Sequence, residues 1–245
     1  MGDEIRINRF LAAAGLGSRR KVEELVLEGR VSVNGQTITD LACKVDTERD
    51  RVRVGGRVVQ LPRRVVYVIL HKPPGVLTTA HDPEGRQTVF DLLEGAPSPL
   101  FSVGRLDRMS EGLLLLTNDG PLAYRLAHPR YRIPRIYRLQ VAGEMPEELI
   151  ARFRRGTSIG GQTTRPDEVK VIHRSRKGTF LEVVLVEGKN REIRRICQDL
   201  GLKVDRLLRI EYGPLSLRGL PSGAWRHLGE REVDSLRKAV RLGVS

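Results

Sequence analysis

The 245-residue chain carries 43 Lys and Arg against 30 Asp and Glu, a net charge of +13, and is 40% hydrophobic. That apolar content can bury one sizeable core or two small ones, and the basic excess points to a polyanion, nucleic acid before membrane. No run of about 18 apolar residues is present to cross a bilayer, and "GDEIRINRF" after Met1 lacks the apolar core of a secretory leader, so a cytoplasmic location is expected. Cys43 and Cys197 show neither metal-ligand spacing nor a disulfide framework and read as small apolar residues. With only 4% aromatics a broad stacking platform is not expected, although one flipped base needs only one ring.

Ile7, Phe10, Leu11 and Ala14 share one helical face that Gly15 can stop. A second helix follows with Ser18 as N-cap, Val22, Leu25 and Val26 as its apolar face and Gly29 as its end. "RVSVNGQTI" is a hairpin around Asn34-Gly35, a pair that tolerates the positive φ of a type I′ turn. Arg6, Arg9, Arg19, Arg20 and Lys21 cluster near the two helix starts, either gripping phosphates or forming a solvated charged face. Residues 1–62 hold 11 Lys and Arg against 9 Asp and Glu, leaving 32 against 21 for the remainder, so the larger part of the chain must itself hold the polyanion.

"VGGRVVQLPRR" reads as a join, dividing the chain into residues 1–62 and 63–245. Beyond it "VVYVILHKPPGVLTT" is a strand broken at Pro73-Pro74-Gly75. Strands are expected at 136–142, 179–186 and 204–212 and helices at 146–155 and 190–200, an α+β domain on a mixed, largely antiparallel sheet with flanking helices. In "FSVGRLDRMSEGLLLLTNDG", Asp107 lies on a loop between apolar runs, placed either to face a cleft or as a turn residue. In "EGKNREIRRICQDLG", the apolar face of Ile193, Ile196, Cys197 and Leu200 sends Arg191, Arg194 and Arg195 elsewhere, near the helix start. Cations oppose the helix dipole there, which calls for an outside anion such as phosphate or a carboxylate.

"RINRFLAAAGLGSRRKVEELVLEGRVSVNGQTI" resembles the S-four-type RNA-binding domain, a small helix-helix-hairpin module that docks on structured RNA. "HKPPGVLTT", "GRLDRMSEGLLLLTNDG", "IPRIYRL" and "EGKNREIRRI", in that order, resemble the motifs of the pseudouridine synthases, and the tail with "GLPSGAW" is most similar to the enzymes acting on large-subunit (23S) ribosomal RNA. The resemblance implies Asp107 as the catalytic carboxylate, Tyr137 as the ring packing on the target uracil and Arg194 as the partner of Asp107. It implies Leu208 as a lining residue, with Leu207 competing, and Arg105, Arg191 and Arg195 as RNA contacts. Without the resemblance, Tyr137 reads as a core aromatic in a strand. Met109-Ser110 and Arg135 depart from the Asp-Thr and Lys frequent in relatives, which bears on target choice rather than reaction type.

The implied reaction breaks the bond from sugar to base nitrogen of uridine, turns the uracil and rejoins it through carbon 5. A carboxylate suffices, by adding to the anomeric carbon or by removing the 2′ proton. A guanidinium beside it keeps it ionised. No metal or organic cofactor is called for, and a monomer working on a ribosomal RNA stem-loop, without a membrane partner, is expected. The competing readings are the same reaction on small-subunit (16S) RNA, a non-catalytic ribosome-assembly protein, and a glycosidase, which normally needs a second carboxyl that the sequence does not supply.

Overall fold

The computed structural model describes residues 4–62, 64–97, 99–159 and 161–243. It divides into two compact units, residues 1–66 with 96–100 and residues 67–95 with 101–245. The first unit thus runs a few residues past Pro62 and includes the short segment 96–100.

In the first unit, β1 (Glu4–Arg6) leads into α1 (Ile7–Ala13) and α2 (Arg19–Leu27), followed by β2 (Val31–Val33), β3 (Gln36–Ile38), β4 (Lys44–Asp46), β5 (Val52–Val54) and β6 (Arg57–Val58). Ser18 caps α2 by accepting the N–H of Lys21 at 3.3 Å. Gly15 ends α1 at φ +90°, and a β-carbon there would press on Pro99 at 2.9 Å. The turn between β2 and β3 has Asn34 at φ 51° and Gly35 at φ 89°, both left-handed as the dipeptide requires. Strand order is β3-β2-β5-β6, with β1 paired to β4 in a separate ribbon. Ile7, Phe10, Leu11, Val22, Val26, Val31, Val45 and Val52 make its core.

The second unit contains β7 (Tyr67–Lys72), β8 (Phe101–Ser102), β9 (Glu111–Thr117), α3 (Gly120–Ala127), a 3-10 turn (Pro129–Tyr131), β10 (Arg135–Ala142) and α4 (Glu147–Arg155). Then come β11 (Thr157–Ile159), β12 (Gln162–Thr164), β13 (Glu168–Ser175), β14 (Gly178–Leu185), α5 (Glu192–Asp199), β15 (Val204–Tyr212), β16 (Leu215–Ser216), β17 (Trp225–His227) and α6 (Glu230–Ala239). The main sheet runs β13-β14-β10-β15-β9-β7-β17, with β16 on β15 and β8 on β9. The β15–β9 pairing is parallel and the other pairings described are antiparallel.

Every residue of β9 is buried, as expected of a continuous apolar run with helices over both faces of the sheet. On one face Leu113 and Leu115 join Tyr67, Ile69 and the inner residues of α3 and α6. On the other, Leu139, Val141, Leu181, Val183 and Leu207 pack under α4 and α5 through Ile150, Phe153, Ile193, Ile196 and Cys197. Burial pushes the Cys197 thiol up to about 12, so it behaves as the small apolar residue its surroundings need. Within "TNDG", Asp119 caps α3 by accepting the N–H of Leu122 at 3.0 Å and also accepts the Tyr67 hydroxyl at 2.6 Å. The basic stretch "HRSRKG" forms the end of β13 and the hairpin into β14. Among the described residues no helix is long and apolar enough to cross a membrane.

Candidate active site

The parallel contact of β9 with β15 brings the loop ahead of β9 to the sheet face covered by α5. Only Leu208 with Glu111 and Arg209 with Gly112 are in register. Gly112 makes this approach possible: it sits at φ +109°, and a β-carbon there would collide with the carbonyl oxygen of Arg209. The result is a cleft of about 260 Å³ lined by Arg105, Asp107, Ser110, Tyr137, Arg191 and Arg194, with Glu192, Leu207 and Arg209 deeper in its wall.

The loop bearing Asp107 is pinned from both sides. From β7, the wholly buried Lys72 ammonium donates to the carbonyls of Pro73 (3.0 Å), Arg108 (3.2 Å) and Ser110 (2.8 Å). Gly75 N–H donates to the Arg108 carbonyl at 2.7 Å, and the Thr78 hydroxyl donates to the Leu106 carbonyl at 2.8 Å. "HKPPGVLTT" is thus the bed on which the loop lies. Burial pushes Lys72 down to about 8, opposed by Asp107 and Glu111. It is still mostly protonated at neutral pH and able to donate to three carbonyls.

From α5, Arg194 donates through Nη2 to the Met109 carbonyl at 2.8 Å and places Nε 3.9 Å from Oδ2 of Asp107. The side chains are 15% and 31% exposed, so the pair is only partly screened by water. Burial lowers Arg194 from its usual value while Asp107 opposes that, and a guanidinium remains a cation under either influence. Ser110, the departure noted in the sequence, is buried with Oγ 3.5 Å from Arg194 Nη2.

Period-two alternation decides which β15 residues face the cleft. Tyr137 of β10 lies opposite Arg209 and Leu139 lies opposite Leu207, so Leu207 and Arg209 share the Tyr137 face. Leu208 points to the other face and packs against the core beneath α3 and α6. The expectation that Leu208 lines the pocket is therefore corrected to Leu207. Arg195 is half-buried and does not line the cleft, whereas Arg191, held at φ 51° before α5, does. Arg9, Arg19, Arg20 and Lys21 all lie exposed on the first unit, and none forms an ion pair with a described residue. Arg86 is engaged by Asp82 at 2.7 Å and Glu84 at 2.9 Å.

Besides Lys72, three groups in the cleft wall escaped sequence reasoning. Arg135 and Arg209 are buried with no carboxylate partner among the described residues. Their guanidinium carbons each lie 5.2 Å from the ring centre of Tyr212 between them. Arg209 Nε donates to the Leu113 carbonyl at 2.7 Å while its Nη2 is buried without a partner. Glu192, also buried, has Oε2 without a partner; burial pushes its carboxyl up to about 7, against the Lys189 N–H that it accepts. Spacing within a strand or helix marks these residues as inward but cannot say what meets them.

A carboxylate beside a guanidinium, an aromatic ring across the floor and an excess of buried cations make a pocket suited to a planar base carrying a phosphate. Residues 66–199 match the RNA pseudouridylate synthase family. The chain belongs to that family. Residues 5–50 match the S4 domain. The chain is 43% identical to an RNA pseudouridine synthase of Aquifex aeolicus over 98% of this chain and 96% of that one. It is 41% identical to the ribosomal large subunit pseudouridine synthase B of Bacillus subtilis, over 97% and 98%. A solved pseudouridylate synthase shares the fold at a TM-score of 0.64 and 24% identity, over 95% of this chain and 99% of that one. As an RNA pseudouridine synthase the chain is an isomerase, and the mixed sheet with its flanking helices is the scaffold of that activity.

Proposed function

We propose that this synthase isomerises a uridine of large-subunit ribosomal RNA, with Asp107 as the catalytic carboxylate. The observation that carries the assignment of the residue is the loop bearing Asp107, held by Lys72 below and Arg194 above so that the carboxylate faces the cleft. The large-subunit target draws on the name of the Bacillus subtilis relative.

The target uridine leaves its stack at a cost of a few kcal/mol, and stacking on Tyr137 returns about 1 to 3 kcal/mol of it. Asp107 then adds to the anomeric carbon or takes the 2′ proton; either route breaks the bond to N1, the uracil turns, and carbon 5 bonds to the same sugar carbon, displacing Asp107 or regaining the 2′ proton from it, as carbon 5 loses its proton and N1 gains one. Arg194 sets a cation beside Asp107, Leu207 gives the base an apolar wall, and Arg105 and Arg191 meet the phosphates. Arg9, Arg19, Arg20 and Lys21 of the first unit dock the chain on RNA remote from the target. Residues 1–62 then serve as the RNA-docking domain and 63–245 as the catalytic domain. A monomer is the working unit of this reading. We place it in the cytoplasm, with its RNA.

Pseudouridine mapping of ribosomal RNA from cells with and without the gene tests this reading. A large-subunit site that disappears with the gene and returns with the wild-type copy is expected. Loss confined to small-subunit RNA, or no loss, overturns the target.

A further inference from the structure

Along α3, Tyr124, Ala127 and the C-cap His128 fall on one face at i, i+3 and i+4. Ala127 lines the cleft, so Tyr124 stands about one turn, roughly 5 Å, outside its wall. Tyr124 is 60% exposed. Its ring centre lies 5.2 Å from that of His128, whose ring meets the edge of Tyr131 at 6.4 Å. Tyr131 is the inner end of this row, packed on the core, with the Arg125 and Arg130 guanidinium carbons 5.7 and 5.1 Å from its ring centre. The rings thus run from a half-buried anchor to a solvent-facing tyrosine.

No Asp or Glu occurs from Gly120 to Gly143. Arg125 is spent on the carbonyls of Val240 and Arg241, and Arg132 on Asp167 at 3.3 Å. Arg130 is exposed and forms no ion pair with a described residue. His128 Nδ1 accepts the Arg130 N–H at 3.2 Å, which holds the backbone of that arginine beside the rings. Helix capping needs neither an exposed tyrosine ring nor an unpaired arginine. An exposed ring at one end of this row and a guanidinium with no carboxylate partner among the described residues at the other are suited to one unpaired base and its phosphate.

We propose that Tyr124, His128 and Arg130 bind the nucleotide adjacent to the target uridine, its base stacked on Tyr124 and its phosphate on Arg130. This rests on reading the adjoining cleft as the uridine site. The surface extends that site by one nucleotide, and it discriminates RNA in which the neighbour is unpaired from RNA in which it is held in a duplex.

The test is the affinity of the full chain for an unmodified 23S ribosomal RNA transcript, measured with excess transfer RNA as competitor. Tyr124→Ala should weaken binding by roughly 5- to 100-fold, and Tyr124→Phe, which keeps the ring, should restore it. Arg130→Ala should lower the slope of log affinity against log salt by about 1. In turnover assays the Tyr124→Ala loss should appear as raised KM. Tyr124 is exposed, so the thermal midpoint should not move. Affinity within twofold of wild type for Tyr124→Ala, or failure of Tyr124→Phe to restore it, overturns the proposal. Formation of pseudouridine by the wild type on the same transcript is read separately, so failure of the ribosomal target and failure of this surface give different results.

Discussion

Lys72 donates to the Ser110 carbonyl at 2.8 Å across 38 residues of chain, and the same ammonium holds the Arg108 carbonyl at 3.2 Å. It therefore binds the backbone just after Asp107. Hydrogen bonds from a charged donor in a dry interior are stronger than neutral ones, and each fixes part of the loop from below.

Lys72→Met keeps the length of the side chain and removes all three donors. Relief of the buried charge offsets part of the lost bonding, so the fold should survive while the loop loosens. Turnover should fall at least about tenfold, the equivalent of about 1.4 kcal/mol in the barrier, with KM less affected. Single-turnover kinetics on ribosomal RNA check this; wild-type rates would show that the loop holds its shape without Lys72.

Asp107→Asn should abolish pseudouridine formation and leave RNA affinity within about threefold, because the amide keeps the shape and loses the charge and basicity that either chemical route requires. Full product formation by the variant would remove Asp107 from the reaction.

Arg194→Ala strips Asp107 of its cation and the Met109 carbonyl of its donor, so turnover should drop by roughly 100-fold with a smaller change in affinity. Arg194→Lys should recover part of it, since an ammonium supplies charge without the planar fork that spans both groups. Parallel binding and rate measurements separate these effects, and unchanged turnover in the alanine variant would break the pairing.

Glu192 predicts a pH dependence of stability. Burial raises its carboxyl from 4.5 to about 7, so the folded state holds a proton that the unfolded state gives up between those values. The stability this contributes is complete below about pH 4.5 and is lost as pH rises through about 7, a change of about 3 kcal/mol. Glu192→Gln should match wild type in urea near pH 4.5 and exceed it at pH 8. Parallel curves for the two proteins over that range would show that the carboxyl ionises freely.

Gly112→Ala meets two penalties, a left-handed φ and a collision with the Arg209 carbonyl oxygen, at the point where β9 and β15 touch. A loss of more than about 2 kcal/mol in urea unfolding is expected. A stable alanine variant would mean that the two strands separate without cost.

Much of the architecture was legible because it is written in local periodicity. The Asn34-Gly35 hairpin, the Ser18 cap, the strands around 136–142, 179–186 and 204–212 and the helices at 146–155 and 190–200 each follow from turn chemistry or spacing within one segment. Less regular segments escaped that reading. The helix after "TND" begins on a Gly-Pro pair that resembles a turn, and α6 is strongly charged.

The site divides along the same line. By itself the sequence determined that Asp107 lies on a loop between buried runs and that Arg194 sits near the start of a helix with nothing local to neutralise it, since both depend only on neighbours within a few residues. Tertiary structure decided the rest. Which of two adjacent leucines meets the cleft depends on which face of β15 is covered by α5, a parity that a single strand does not carry. That Lys72 holds the Asp107 loop, that Arg135 and Arg209 flank Tyr212, and that Glu192 is dry are contacts between segments tens of residues apart. Burial and pairing are properties of the assembled sheet, so the charge each side chain carries is settled only when distant segments close around it.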